Sequence, residues 1–373
     1  MQKKLIALAV AGLLSAPAFA QSNVVLYGTL DYGLASFGSS AVRNHDHGFG
    51  DEGKYKSRNG VESGISKFNR IGFKGTEDLG NGLKAVFVLE QGLLGDRQGD
   101  NGVFNGVNRQ SYAGLQGGFG TVAFGHQYTP QHLFSAAVDP FGKNGIGGLN
   151  NSLVQDTRLS NLAAYISPSW GGFSFIAGYT FGGTANENVE NDGDARVWAI
   201  APSFTWNNLF VGANYHAVKA NSAHGSNTKL WNVLEAYASY DFGFVKLGGL
   251  VGRRTAPDVV GDRDGKIMQY MLGATFKITD NDKVMASYTY AKENSIAGSD
   301  RTKLSQWAIG YEHALSKRTA LYAIGAFQSW NDDADAAFWR GNAGAGGVGN
   351  ASLGYDNAAL YKRGLGVGIR HDF

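Results

Sequence analysis

The sequence predicts an all-β protein, a 16-stranded antiparallel β-barrel that spans a membrane. Three observations lead to this prediction. Short segments alternate between apolar and polar residues, tight turns alternate with long polar loops, and no later apolar run is long enough for a membrane-spanning helix. A closed barrel is the other structure that satisfies every backbone hydrogen bond inside a bilayer.

Composition excludes several classes of protein. The 373 residues include 54 Gly, 22 Phe, 17 Tyr and 7 Trp, but only 6 Pro and no Cys. The absence of Cys rules out disulfide scaffolds, zinc fingers, iron–sulfur clusters and thiol catalysis. The 33 basic residues nearly balance the 31 acidic ones, which argues against a protein that binds nucleic acid.

The chain begins with the pattern of an export signal. Two lysines precede a run of about ten apolar residues, and Ala18-Phe19-Ala20 forms a cleavage site of small residues. Such a run is too short to span a bilayer, which needs roughly 20 residues. We therefore expect residues 1–20 to be a cleaved signal peptide and residues 21–373 to form the barrel.

The strands are predicted by strict alternation. In the first one, Leu26, Leu30 and Leu34 share one face, whereas Thr29 and Asp31 share the other. Each such strand has an apolar face for lipid and a polar face for a water-filled interior. The clearest segments are residues 24–37, 67–78, 209–217, 266–277 and 283–290.

The connections predict how the strands are arranged. Short turns rich in Gly, Asn and Asp lie at residues 79–82, 117–120, 170–172, 206–208 and 279–282. Long polar loops lie between them, at residues 38–66, 95–107, 129–158, 182–193, 220–228, 255–264, 294–302 and 332–356. Eight long loops imply eight hairpins, and therefore 16 strands with all long loops at one end.

A secreted β-sandwich, propeller or lectin would show similar alternation. Two features favour the membrane barrel. Aromatic residues collect near the strand ends, as in the girdles of a barrel at the lipid interface; these are Trp170, Phe173, Trp206, Phe210, Tyr240, Phe242 and Phe244. The chain also ends directly after a strand, on Phe373, in alternation with Leu365, Val367 and Ile369. That ending resembles the assembly signal of bacterial outer-membrane proteins.

Five stretches in the right order extend from the first strand to the last. They are VVLYGTLDYGL at 24–34, FNRIGFKGTEDLGNGLKAVFVLEQG at 68–92, NRQSYAGLQGGFGTVAFGHQYTP at 108–130, YISPSWGGFSFIAGY at 165–179 and GVGIRHDF at 366–373. Through them the whole mature chain resembles the general, trimeric porins of Gram-negative bacteria. The resemblance is strongest to the β-proteobacterial type of Neisseria, Bordetella, Burkholderia and Comamonas.

The resemblance implies a third long loop that folds inward and narrows the pore. Its match is residues 129–158, with Asp139-Pro140-Phe141-Gly142 near the tip. Acidic groups of this loop are expected to face a ladder of arginines on the opposite wall. The residues that match this constriction are Arg70, Arg109, Arg158, Asp139, Lys143 and Asp156.

Three positions do not fit the alternation or the family pattern directly. Arg158 shares its parity with apolar Leu162, so it can face the lumen only if a bulge or a late strand start changes the alternation. Thr29 is neutral where related porins often carry a basic residue. His126 stands where relatives have an arginine that latches subunits together, which implies a weaker or pH-sensitive subunit contact.

Signals for an enzyme are weak. His45-Asp46-His47 lies in a glycine-rich loop, and residues 344–349 fit G-x-G-x-x-G without a following helix. Residues 262–265 resemble the start of a calcium loop but lack its closing Glu, so they are read as a turn. We expect no catalysis, no cofactor and no bound metal. A substrate-selective channel and an outer-membrane hydrolase remain as alternatives.

The expected function is passive diffusion of small hydrophilic solutes and ions across the outer membrane. The resemblance implies a homotrimer, outer-membrane lipids and lipopolysaccharide as surroundings, and the barrel assembly machinery as a partner; nucleic acid is not expected. At the constriction, four matched cations outnumber two acids, although the mature chain as a whole is neutral. Because only local charge can then create a preference, moderate anion selectivity is expected.

Overall fold

We describe the fold from a computed structural model. It describes residues 23–40, 56–93, 108–181, 196–220, 229–260, 263–293, 303–330 and 361–373. The expected signal peptide lies outside these ranges, as do most of the long loops. Among the described residues, no helix is long and apolar enough to cross a membrane.

The described chain is almost entirely strand. The strands are β1 Asn23–Ser40, β2 Lys56–Ser63, β3 Arg70–Gly80, β4 Leu83–Gly92, β5 Asn108–Gly117, β6 Gly120–Tyr128, β7 Arg158–Ile166, β8 Phe173–Thr180, β9 Arg196–Trp206, β10 Leu209–Ala220, β11 Lys229–Asp241, β12 Val245–Val260, β13 Arg263–Lys277, β14 Asp282–Glu293, β15 Lys303–Ala314, β16 Thr319–Trp330 and β17 Tyr361–Asp372. A helix, α1 (Pro130–Val138), and a 3₁₀ turn at Leu149–Asn151 lie between β6 and β7.

These 17 segments form a closed barrel of 16 staves. From β3 onward each strand pairs antiparallel with the next, and β17 returns to pair with β1. β1 also pairs with both β2 and β3, because β2 covers its upper half and β3 its lower half. β2 and β3 are therefore one stave, interrupted at residues 64–69. The predicted 16-stranded antiparallel barrel is confirmed.

Asp31 holds the interruption between β2 and β3. Its carboxylate accepts hydrogen bonds from the backbone amides of Ser66 (2.9 Å) and Lys67 (2.6 Å), and from the hydroxyl of Tyr322. Its own amide donates to Oδ1 of Asn69 at 2.6 Å. Amides released from the sheet must find other acceptors when they are buried, and this carboxylate supplies them.

The two faces of the strands differ as predicted. On β13, the outward side chain of Leu272 is 66% exposed, whereas inward Gln269 is fully buried. On β1, Leu34 is exposed on the outside and Thr29 is buried inside. Apolar side chains thus cover the outer surface, and polar side chains face the interior, which is the reverse of a water-soluble core.

Two of the expected loops are longer than the unpaired segments of the structure. β2 lies within residues 38–66, and the paired ends of β12 and β13 occupy most of residues 255–264. The predicted strand 67–78 instead begins at Arg70. Backbone hydrogen bonds between strands continue above the lipid layer. Pairing therefore persists where the outer face no longer has to be apolar and the hydropathy pattern has ended.

Candidate functional site

Residues 129–158 fold inside the barrel and pack on its wall. Thr129 caps α1 by accepting the amide of His132 at 3.0 Å, and Pro130 fits the first helical turn. Phe134 of α1 packs edge-on against Tyr237 of β11, with ring centroids 5.6 Å apart. These contacts place residues of this loop against the barrel wall.

Glycines of the wall make room for this loop. A Cβ atom on Gly248 would lie 2.1 Å from the carbonyl oxygen of Val138, and one on Gly273 would lie 2.4 Å from Pro140. Neither separation is possible without moving backbone or ring atoms. Small residues at these inward positions of β12 and β13 thus let the loop lie flat against the wall.

Asp139 organises the fold of the loop. Its carboxylate accepts hydrogen bonds from the amides of Phe141 (3.0 Å), Lys143 (3.0 Å) and Leu149 (2.9 Å). Burial raises the pKa of this carboxyl group, and the three amides lower it. The structure places this acid inside the loop and away from the water-filled space.

Lys143, assigned to the constriction by resemblance, is also fully buried. Its ammonium group donates to Oε1 of Gln155 at 3.4 Å. Burial lowers the pKa of Lys143 to about 7, although the nearby carboxylates of Glu235 and Asp139 raise it. This residue contributes no exposed positive charge.

Asp156 fixes the far end of the loop. Its carboxylate lies 2.9 Å from Nε2 of His216 on β10 and 3.4 Å from Nη1 of Arg254 on β12. Burial acts to raise the pKa of Asp156, but Arg254 and His216 outweigh burial and hold it below its usual range. Asp156 therefore holds the loop against the wall rather than facing Arg70, Arg109 and Arg158.

A second group of polar side chains adjoins this contact. Glu235 on β11 accepts hydrogen bonds from Nε2 of Gln155 (3.1 Å), Nε2 of Gln269 (2.8 Å) and the hydroxyl of Tyr237. We call the whole group the loop latch; its members are Gln155, Asp156, His216, Glu235, Arg254 and Gln269. Sequence reasoning missed Glu235 and Arg254, although strand parity alone would have placed both inside.

The three arginines lie on another part of the wall, around Glu90. Nε of Arg109 lies 2.5 Å from Glu90, and its Nη2 donates to the hydroxyl of Tyr128 at 2.6 Å. Nε of Arg70 lies 3.7 Å from the other carboxylate oxygen of Glu90. The guanidinium of Arg158 stands 5.7 Å from the centre of the Tyr128 ring. Two of the three cations thus pair with one acid, and the third adjoins them through Tyr128. We call Arg70, Arg109, Arg158 and Glu90 together the arginine wall.

Two bulges bring Arg109 and Arg158 to this position. The register shifts where Glu90 and Gln91 meet residues 108–110, so Arg109 is the extra residue of β5. A second shift separates Arg158 from Leu162 on β7, at Asn161 with a φ of 51°. This is the change of alternation that the assignment of Arg158 required.

Two basic side chains of β3 remain accessible. The side chain of Arg70 is 17% exposed, and Lys74, four residues further along β3, is exposed as well. By contrast, both acids and the lysine of residues 129–157 are buried. Exposed residues of α1, such as Leu133, are uncharged.

Two assigned residues lie on the outer surface. Phe373 packs over Gly28, and the two residues exchange backbone hydrogen bonds of 3.0 and 3.1 Å. Nδ1 of His126 lies 3.0 Å from Oγ of Ser160. His126 pairs in register with Ser111, on the face away from Glu90.

The remaining motifs provide no second site within the part of the chain that the structure describes. His45-Asp46-His47 and residues 344–349 lie outside the described residues. Residues 263–265, expected in a turn, instead begin β13. Among the described residues, no group of three potential metal ligands comes together.

Comparison with known proteins gives consistent findings. A model of the Gram-negative porin family matches residues 7–334. Outer membrane porin protein 32 of Delftia acidovorans is 33% identical over 382 residues, which cover both chains completely. An outer membrane porin of Bordetella pertussis is 32% identical over 377 residues, covering 88% of this chain and 94% of the relative. The solved anion-selective porin of Comamonas acidovorans superposes with a TM-score of 0.73 at 28% identity, covering 95% of this chain and all of that one.

Proposed function

This chain belongs to the Gram-negative porin family and is a passive channel of the outer membrane, and we propose that its lumen favours small anions. The observation that supports the preference is the arginine wall, where Arg70 and Arg109 pair with Glu90 and Arg158 lies over Tyr128 with no ion pair among the described residues. This leaves two positive charges in excess. The anion-selective porin of Comamonas acidovorans is consistent with the proposal.

The origin of the excess differs from the sequence-based expectation. Asp139 and Lys143 lie together inside the loop, and Asp156 is bound by Arg254 and His216, so these charges are matched and bear little on a passing ion. Glu90 is instead the acid that offsets part of the positive charge of the arginine wall. Charges within the Debye length of roughly 8 Å act on a permeating ion with little screening at physiological salt.

The test is a reversal potential measured in a planar bilayer under a salt gradient. Wild-type channels should give a potential on the anion side, weaker in molar salt. Arg70→Ser should shift the anion-to-cation permeability ratio toward cations by roughly two- to fivefold, because it removes one of two excess charges. Arg253→Ser, which removes an exposed outward arginine, is the matched control. A cation-selective wild type would refute the proposal.

We also propose that the chain forms a homotrimer after removal of residues 1–20, with His126 at or near a subunit contact. The family resemblance and the outward position of His126 support this. Outer-membrane lipids, lipopolysaccharide and the barrel assembly machinery are the remaining proposed partners. Crosslinking of wild type and His126→Ala at pH 5 and pH 8 tests the trimer and the role of the histidine.

Phe373 is proposed to be the assembly signal. Deleting it removes the ring over Gly28 and the last paired residue, so folded protein in the outer membrane should fall severalfold while export past the inner membrane continues. Phe373→Tyr, which keeps the ring, should retain assembly. Immunoblots of outer-membrane and periplasmic fractions measure both variants. Normal abundance after the deletion would show that this residue is dispensable.

We propose no catalytic role and no cofactor for this chain. Its relatives are porins, and no group of three potential metal ligands comes together among the described residues. Assays of the detergent-solubilised protein on peptide and ester substrates test the hydrolase alternative. A solute that blocks the conductance at micromolar concentration would instead favour a substrate-selective channel.

A further inference from the structure

Residues 129–158 follow the barrel wall along a long arc that begins after β6 and returns to β7. Along this arc α1 packs on β9 to β12, and Nε2 of Gln306 on β15 donates to the carbonyl of Gly147 at 3.2 Å. The amide of Ile146 donates to the carbonyl of Ile65, in the interruption between β2 and β3, at 2.8 Å. The arginine wall, on β3 to β7, occupies the remaining arc of the barrel. The channel therefore runs between the arginine wall and the free face of the loop.

The helix α1 turns an apolar face away from the wall. Phe134 and Val138 are buried against β11 and β12. On the other side Leu133 is 40% exposed, Ala137 is exposed and Ala136 is partly exposed. Residues three and four positions apart share one face of a helix, so these three side chains form one surface. We call Leu133, Ala136 and Ala137 the apolar strip, and it borders the channel because α1 lies inside the barrel.

The distribution of polar residues on α1 is the reverse of that in a helix that faces water. Gln131, His132 and Ser135 are buried, whereas the exposed positions are apolar. A helix on the surface of a soluble protein carries its polar residues on the exposed face. The two acids and the lysine of the loop are buried as well. The loop thus presents an uncharged, apolar surface to the channel.

The apolar strip begins beside the arginine wall. The ring of His132, which precedes Leu133, stacks on the ring of Tyr128 with centroids 4.0 Å apart. The hydroxyl of that Tyr128 accepts a hydrogen bond from Arg109 at 2.6 Å. Nε of Arg158 and Nδ1 of His132 are buried and have no hydrogen-bond partner among the described residues. At this level the channel therefore combines unused polar groups and positive charge with an adjoining apolar surface.

We propose that the channel passes amphipathic organic anions in preference to hydroxylated anions of the same size and charge. The acidic group lies along the arginine wall, and the apolar body follows the apolar strip. A hydroxyl group in place of the apolar body would lose hydrogen bonds to water that the strip cannot replace. This inference rests on the anion preference proposed above and adds the chemistry of the uncharged part of the solute.

The experiment compares propanesulfonate with isethionate, which carries a hydroxyl group in place of the terminal methyl group. Both anions are fully ionised at neutral pH, so neither crosses the lipid as a neutral acid. Reversal potentials of the full-length protein are measured in a planar bilayer with the potassium salt of one anion on each side, and a salt gradient of each salt supplies the permeability of potassium. Leu133→Gln makes the strip polar, and Leu133→Met keeps it apolar. Leu315→Gln makes the same change at an exposed leucine in the turn between β15 and β16 and is the matched control.

Wild type, Leu133→Met and Leu315→Gln should pass propanesulfonate about two- to fourfold more readily than isethionate, because a partly buried methyl group contributes in that range. Leu133→Gln should bring the ratio of the two permeabilities close to unity. Arg70→Ser should lower the permeability of both anions relative to potassium without changing their ratio, which separates the strip from the arginine wall.

Two results would overturn the inference and leave the anion preference standing. One is equal passage of the two anions through an anion-selective wild type, and the other is an unchanged ratio in Leu133→Gln. A cation-selective wild type would instead refute the anion preference on which the inference rests. Heat-modifiable migration in SDS confirms that each variant is folded.

Discussion

The arginine wall and the loop latch are two buried charge clusters inside the same barrel, and they differ in balance. Around Glu90, Arg109 is tightly paired, Arg70 is loosely paired, and positive charge is left over. In the loop latch, Asp156 lies between Arg254 and His216, and each group has a partner.

This difference separates structural from functional charge. A matched buried pair holds elements together and presents almost no field to a passing ion. An unmatched group keeps its field in the lumen, where low-dielectric walls focus it. Residues of the same type at similar burial thus stabilise the loop on one wall and, in our proposal, select ions at the other.

Breaking the loop latch should have the largest effect. Arg254→Ala leaves Asp156 buried with only His216 beside it, which should destabilise the loop by about 3–5 kcal/mol. The loop should then leave the wall intermittently, and single-channel recordings should show larger, noisier conductance. Arg253→Ala, one residue away and outward-facing, is the control. Quiet, unchanged channels in Arg254→Ala would mean that apolar packing alone holds the loop.

Unbalancing the arginine wall further should have an intermediate effect. Glu90→Gln removes the acid that Arg70 and Arg109 share, which should cost about 2–3 kcal/mol in folding and raise anion selectivity. Thermal migration shifts in SDS and reversal potentials measure the two consequences. Glu77→Gln, an exposed carboxylate on the outer parity of β3, is the matched control. A shift toward cations would show that Glu90 does not face permeating ions.

The smallest effect should come from titrating Lys143. Its pKa is about 7 in the folded loop and near 10.5 when unfolded, so the unfolded chain binds more protons between these values. Stability should therefore rise between pH 7 and pH 9, by on the order of 1–2 kcal/mol. Lys143→Met should remove this component, whereas Lys74→Met should keep it. Heat-modifiability midpoints at the two pH values provide the measurement, and identical profiles for Lys143→Met and wild type would contradict it.

Much of the fold could be predicted because residue type along a barrel strand alternates with the environment of its two faces. On β1, alternate residues face lipid and lumen, so Leu34 and Thr29 reveal their faces without reference to any other strand. The inward position of Arg70 follows from the same rule. Prediction of the strand ends failed at β2 and β12, because backbone pairing continues where the outside is no longer lipid.

From the sequence alone we predict the export signal, the number of staves, the two faces of each strand and the family. Which charges are matched depends on the folded barrel. Asp156 and Arg254 are 98 residues apart in the chain, and bulges rather than parity bring Arg109 and Arg158 to Glu90. Hydropathy is read along one strand, but charge pairing depends on the register between strands and on where the loop settles. That is why the acids of the loop, which the family resemblance sets against the arginines, are held elsewhere: Asp139 by amides within the loop and Asp156 by the wall behind it.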